Sequence, residues 1–143
     1  MTDILHQLLV KAPPALVFPV LATPSGLDAW WTARAEGFPA EGSTYGLWFP
    51  PDFQWKATVT IYRPDEAFEL KITKASDDWM GSRVGFHLSP HEGSTVLDFH
   101  HAGWSSPSDH FRISSFCWAS YLRLMRRHVE NGEVVAYADR DAA

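Results

Sequence analysis

The chain has 143 residues, 45% of them hydrophobic, with 12 Lys and Arg against 17 Asp and Glu for a formal charge of -5. That length fits one domain able to bury about two-thirds of its unfolded surface without a metal or disulfide, and scattered basic residues exclude a phosphate-tracking, nucleic-acid-binding surface. The longest apolar run, Ala15 to Ala22, is broken by Pro19 and falls short of the roughly 20 residues a membrane span needs.

The opening Met-Thr-Asp lacks the basic segment of a secretory signal. The lone Cys117 has no second cysteine to pair with, which suits a reducing compartment, so a cytoplasmic location is expected. Ile4 to Lys11 reads as a strand. Ala12-Pro13-Pro14 ends it and starts a short helix over Pro14 to Leu21, with a kink or a very short turn expected at Pro19, since an interior proline costs about 3 kcal/mol. A second short helix follows over Pro24 to Trp31, and Thr32 to Ser43, with Gly37, Pro39 and Gly42, reads as a polar loop.

From Thr44 the period becomes two. Tyr45, Leu47 and Phe49 share one face of a strand, and after the Pro50-Pro51-Asp52 turn Trp55, Ala57, Val59 and Ile61 share a face of the next. Phe68, Leu70 and Ile72 alternate with polar residues, as do Val84, Phe86 and Leu88, and Thr95, Leu97, Phe99 and His101 face opposite to Val96, Asp98 and His100. Such clean alternation belongs to an antiparallel sheet with one wet face. A long amphipathic helix over His110 to Asn131 closes the series, with Ile113, Phe116, Cys117, Tyr121, Leu124 and His128 expected inward, Arg123, Arg126 and Arg127 outward and Gly132 as its cap. The predicted class is α+β: one strand, two short helices, a five-stranded meander and a long helix over residues 1–132, followed by a loose or partner-docked tail over 133–143.

This order of elements resembles the START-like helix-grip (SRPBCC) superfamily. Details resemble its branch of homologues of the activator of the heat-shock-protein-90 ATPase. The matching pieces are Leu27-Asp28-Ala29-Trp30-Trp31, Trp79 with Gly81-Ser82-Arg83-Val84, Gly93 to Phe99 leading into His101-Ala102-Gly103-Trp104, and Trp118-Ala119-Ser120-Tyr121-Leu122 with Gly132. Cys117 stands where such sequences often carry Gly. The resemblance implies a curved antiparallel sheet wrapped around the long C-terminal helix, with a hydrophobic cavity between them.

Seven Trp and nine Phe are a rich aromatic supply for such a cavity or for a packed core. The residues expected to line a ligand pocket are Trp30, Trp55, Phe68, Phe86, Phe99, His101, Trp104, Phe116 and Tyr121. His100 and His101 point to opposite faces of their strand and cannot share a metal, and the remaining histidines lack ligand spacing, so neither a metal nor another cofactor is expected. His101, on the Phe99 face, reads first as a hydrogen-bonded core histidine; a role in orienting a ligand or moving a proton, which would make it the candidate catalytic group, is the alternative. Asp98 and His100 read as solvated charges, Cys117 as a small buried hydrophobe, and Ser105 to Asp109 as a helix cap.

No catalytic motif is present. The expected function is therefore binding of a small hydrophobic or amphipathic ligand between sheet and helix. The alternatives are a cyclase or dehydratase using the same space, and a protein-interaction module that associates with a chaperone or with itself. A small apolar ligand and a homodimer are the expected partners, with no nucleic acid and no membrane span.

Overall fold

A computed structural model describes residues 2–142; Met1 and Ala143, the outer ends of the N-terminal and tail readings, lie outside them. Strand β1 (Thr2–Val10) is followed by helices α1 (Pro14–Ala22) and α2 (Pro24–Asp28). Strands β2 (Arg34–Glu36), β3 (Thr44–Phe49), β4 (Phe53–Arg63), β5 (Ala67–Lys74), β6 (Arg83–His91) and β7 (Ser94–Trp104) come next, then helix α3 (Asp109–Asn131). All neighbouring strands are antiparallel, in the order β1-β7-β6-β5-β4-β3-β2. With the two short helices after β1 and the long C-terminal helix, this is the α+β helix-grip arrangement, and the sheet has seven strands.

The sheet sorts its side chains by parity. Tyr45, Leu47, Ala57, Val59, Phe68, Leu70, Ile72, Val84, Phe86, Leu88, Leu97 and Phe99 are buried on the inner face. Outward residues are mostly polar, as period two requires of a sheet with one wet face. Register shifts lie between Thr2 and Ile4 and between Lys56 and Ala57, and a third changes which side chains of β4 face inward. This third shift lies between Val59 and Ile61, so Ile61 pairs with Glu69 and Tyr62 with Phe68. The extra residue turns Tyr62 inward, edge-on to Phe18 and Phe68, where strict alternation predicts Ile61.

β2 lies inside the segment predicted as loop. It pairs Arg34 with Trp48 and Glu36 with Gly46, and three residues among glycine and proline are too few to display a period. α1 runs as a nine-residue helix through Pro19. The missing proline N–H frees only the carbonyl of Ala15, on the exposed side near the helix end. α2 is shorter than predicted and gives way to turns through Trp31. Gly26 permits its close seat on α1, since a Cβ there would lie 2.2 Å from the Pro19 carbonyl oxygen.

Two caps set the ends of α3. Ser108 Oγ accepts from the Phe111 N–H at 3.3 Å, and Gly132, at φ 72°, ends the helix with its N–H on the His128 carbonyl. The face that α3 buries carries Ser114, Trp118, Leu122, Leu124 and Met125. Ile113 and Phe116, predicted inward, are 61% and 75% exposed. Both phases offer apolar residues three and four apart, and the Trp118 indole decides between them because burying it removes far more apolar surface from water.

Part of the segment read as a tail packs on the chain itself. Tyr137–Ala142 forms a 3-10 turn whose Arg140 is buried and donates to the carbonyls of Asp28, Thr32 and Val135 at 2.6, 3.2 and 3.0 Å. These bonds tie the C-terminal segment across the end of α2. Among the described residues no helix is long and apolar enough to cross a membrane.

Candidate functional site

The space between the sheet and α3 is occupied by rings. Trp118 projects from α3 and meets Phe99, Trp31, Trp79, His101 and Trp30, with ring centroids 4.7, 5.0, 5.9, 5.9 and 6.3 Å away. Trp79 stacks on Trp118 and the others are tilted or edge-to-face, arrangements compatible with the aromatic quadrupole. Within this cluster stands His101, fully buried. Its Nδ1 accepts from the Trp118 indole N–H at 3.0 Å. An indole only donates, so the imidazole proton resides on Nε2. That Nε2–H donates to Ser82 Oγ at 2.8 Å, and the serine hydroxyl passes its own proton to the Trp79 carbonyl at 2.6 Å.

The chain of bonds thereby joins α3, β7 and the turn that carries Trp79 between β5 and β6. Burial above all, helped by the nearby His100 and His110, pushes the His101 pKa down to about 3. The ring is neutral at physiological pH and both nitrogens are engaged. Close by, the indole N–H groups of Trp79 and Trp104 are buried with no hydrogen-bond partner. These two rings stand 6.1 Å apart, and Trp79 is also 5.0 Å from Trp55, which sits half-buried at the rim. Trp55 lines two open hollows of about 460 and 590 Å³, the second bounded by Lys74, Ala75 and Ser76 at the start of the Trp79 turn.

On the opposite face the neighbouring histidine has a different environment. His100 Nε2 lies 2.7 Å from Glu69 Oε2, across Gly85 of the intervening strand. Glu69 is buried and also accepts from Thr60 Oγ1 at 2.8 Å, while Arg83 approaches to 3.9 Å. The bond with His100, reinforced by Thr60 and by the charges of His100 and Arg83, outweighs burial and holds the Glu69 carboxyl below its usual range. Asp98 is exposed, as predicted, and accepts from the Gln7 amide at 2.7 Å, whereas His100, read as a solvated charge, is partly buried against Glu69. Among the described residues no group of three or more His, Cys, Asp or Glu is placed to hold a metal ion.

The chain and its fold have counterparts among known proteins. The sequence profile of the activator of Hsp90 ATPase homolog 1-like proteins matches residues 11–130. The chain belongs to that family. A search of curated proteins finds no match. Among solved structures, the solution structure of the Aha1 dimer from Colwellia psychrerythraea shares 28% identity at a TM-score of 0.83, over 93% of this chain and 99% of that one. The crystal structure of MLL2253 from Mesorhizobium loti shares 14% identity at 0.81, over 93% of this chain and 100% of that one. CalU16 from Micromonospora echinospora shares 17% at 0.77, over 99% and 72% respectively. The last two likenesses speak for the fold alone.

Within this Hsp90-activator-like fold, Trp30, Phe68, Phe86, Phe99, His101 and Trp104 are all buried on the inner side, and Trp55 is at its rim. Phe116 is not with them: it lies on the outer face of α3, because the helix turns Trp118 inward. Tyr121 is half-buried and reaches the tail, its hydroxyl 3.4 Å from Asp141 Oδ1. Burial first, then the charge of Asp141, raises its pKa to about 12. Cys117 is partly exposed, with a thiol pKa that burial pushes up, so it behaves as a small apolar group. Pattern reading missed Ser82, Trp79 and Trp118 as partners of His101. A histidine of inward parity requires two polar partners, and that requirement was the available signal.

Proposed function

We propose that the chain binds a small, flat, amphipathic molecule between the sheet and α3, at the end where Trp55, Trp79 and Trp104 meet. The observation that carries this reading is the pair of buried, unpartnered indole N–H groups of Trp79 and Trp104. Buried donors in a finished core nearly always find acceptors, and leaving one unmade costs about 1–3 kcal/mol. A ligand with carbonyl or hydroxyl oxygens would satisfy both donors and stack on the surrounding rings. Trp79 belongs to the turn between β5 and β6 and fills the space itself, so binding requires that turn to swing outward toward the hollow at Ser76. Binding is favoured over proton transfer because His101 has both nitrogens engaged and stays neutral down to about pH 3.

Native mass spectrometry of freshly purified protein tests this, first for a co-purified adduct and then with anthraquinone-2-sulfonate, a soluble planar diketone. A one-to-one complex is expected, weakened about tenfold in Trp104→Phe, which keeps a ring and removes the N–H. The absence of both an adduct and a probe complex at millimolar concentration would sink the reading. The Colwellia protein is described as a dimer. We propose that this chain self-associates in the same way, and sedimentation at several concentrations measures it.

A further inference from the structure

The sheet has two ends, and they are finished differently. β2 is a three-residue strand with Arg34 and Glu36 pointing outward, and short length with charge is how native sheets discourage edge pairing. β1 at the other end is nine residues long and contains no proline or glycine. Its other edge has no strand partner among the described residues. Its outer face carries Leu5 at 70% and Leu9 at 43% exposure. A long, unpartnered edge strand with exposed leucines is a template for another strand.

Its side-chain order also matches itself when reversed. Antiparallel pairing with a second β1 about a two-fold axis through Gln7 brings together positions whose numbers sum to 14. Gln7 then faces Gln7, Leu5 faces Leu9, Ile4 faces Val10, and the Asp3 carboxylate faces Lys11 just beyond the strand end. Asp3 Oδ1 takes the Gly103 N–H at 3.1 Å, which leaves Oδ2 for the lysine. Since the sum is even, each position meets one of its own parity, so the edge-facing backbone groups of both strands coincide. A register shifted by two residues would remove the Asp3–Lys11 match.

We propose that two copies of the chain join β1 to β1 in this register, making one continuous sheet of fourteen strands from the seven of each copy. The interface rests on the self-association inferred above and adds where it lies. Opposed Cα atoms in antiparallel pairs are about 4.5–5.5 Å apart, inside the range of about 4.4–6.8 Å that a disulfide bridges. Gln7→Cys in a Cys117→Ser background should therefore cross-link to itself under mild oxidation, whereas Thr58→Cys, remote on the same outer face, should not. Asp3→Lys should weaken the sedimentation dimer about tenfold, and adding Lys11→Asp should restore it. A dimer by sedimentation that forms no bond at position 7 and ignores the charge swap overturns this surface while leaving self-association standing. A constant monomer mass at all concentrations overturns both.

Discussion

His100 and His101 are consecutive on one strand, yet the two faces of the sheet use them differently. His101 points inward, where burial strips its charge and one donor, Trp118, and one acceptor, Ser82, fix its tautomer. His100 points outward and keeps a carboxylate at 2.7 Å, in a gap that exists only because the residue between them has no side chain. The inner face tolerates a polar ring as a neutral link in a closed chain of hydrogen bonds. The outer face uses the same residue type opposite a charge. A one-residue step in parity therefore matters more to the role of an imidazole than the dipeptide in which it occurs.

The sharpest way to break the contrast is to remove the inner ring. His101→Ala leaves a cavity among the rings of Trp79, Trp104 and Trp118 and orphans the Trp118 donor, so a loss of about 3–5 kcal/mol is expected in denaturant unfolding. His100→Ala, half-exposed, should cost much less, and equal losses would contradict the assignment of roles.

Acid should separate the two faces next. A neutral buried histidine favours folding above its unfolded pKa, near 6.5. With a folded pKa of about 3, the unfolded chain binds more protons throughout the window between them. Stability should therefore fall as pH drops below 6.5, by up to about 1.4 kcal/mol per pH unit, and stop falling from this source near pH 3. At pH 5 the loss is about 2 kcal/mol. Glu69 adds a loss lower down, because its depressed pKa contributes stability above the ordinary carboxyl range that disappears as pH falls through the folded value. Unfolding curves from pH 7 to 3 check both. A profile flat to pH 5 would remove His101 from the core network, and Glu69→Gln should lower stability at neutral pH while flattening the acid end of the profile.

The inner face was legible because burial imposes a period. Phe68, Leu70, Ile72, Val84, Phe86, Leu88, Leu97 and Phe99 alternate as expected, and the seam with α3 was visible as an amphipathic helix. Its phase was not, since Ile113, Phe116, Cys117 and Tyr121 form as regular a stripe as Ser114, Trp118, Leu122 and Met125, and only the fit of one indole among Trp31, Phe99 and His101 chooses between them. The bulge near Thr60 is invisible for a related reason: one extra residue flips Ile61 and Tyr62 while leaving the composition unchanged. The Glu69–Gly85–His100 row depends on register across three strands, which periodicity does not carry. Its one local sign was Gly85, a lone glycine between Val84 and Phe86, where a close approach by another group is the usual reason.

That glycine allows the finest test of the outer face. A Cβ built on Gly85 would lie 2.3 Å from His100 Cε1, 2.4 Å from Nε2 and 3.2 Å from Glu69 Cγ. Gly85→Ala should swing the imidazole outward and part it from the carboxylate. The strand itself gains from the exchange, because glycine in a strand interior costs about 0.5–1 kcal/mol relative to alanine. In the wild-type background the two effects oppose one another, with a net loss of about 1 kcal/mol expected from the broken charge-assisted bond. In a His100→Ala background only the backbone gain remains, so Gly85→Ala should become neutral or stabilising. The reversal of sign is the readout, since residues in contact couple by about 0.5–3 kcal/mol while independent sites add. Additive losses would mean that the gap at Gly85 serves the backbone and that the pairing of His100 with Glu69 is incidental to it.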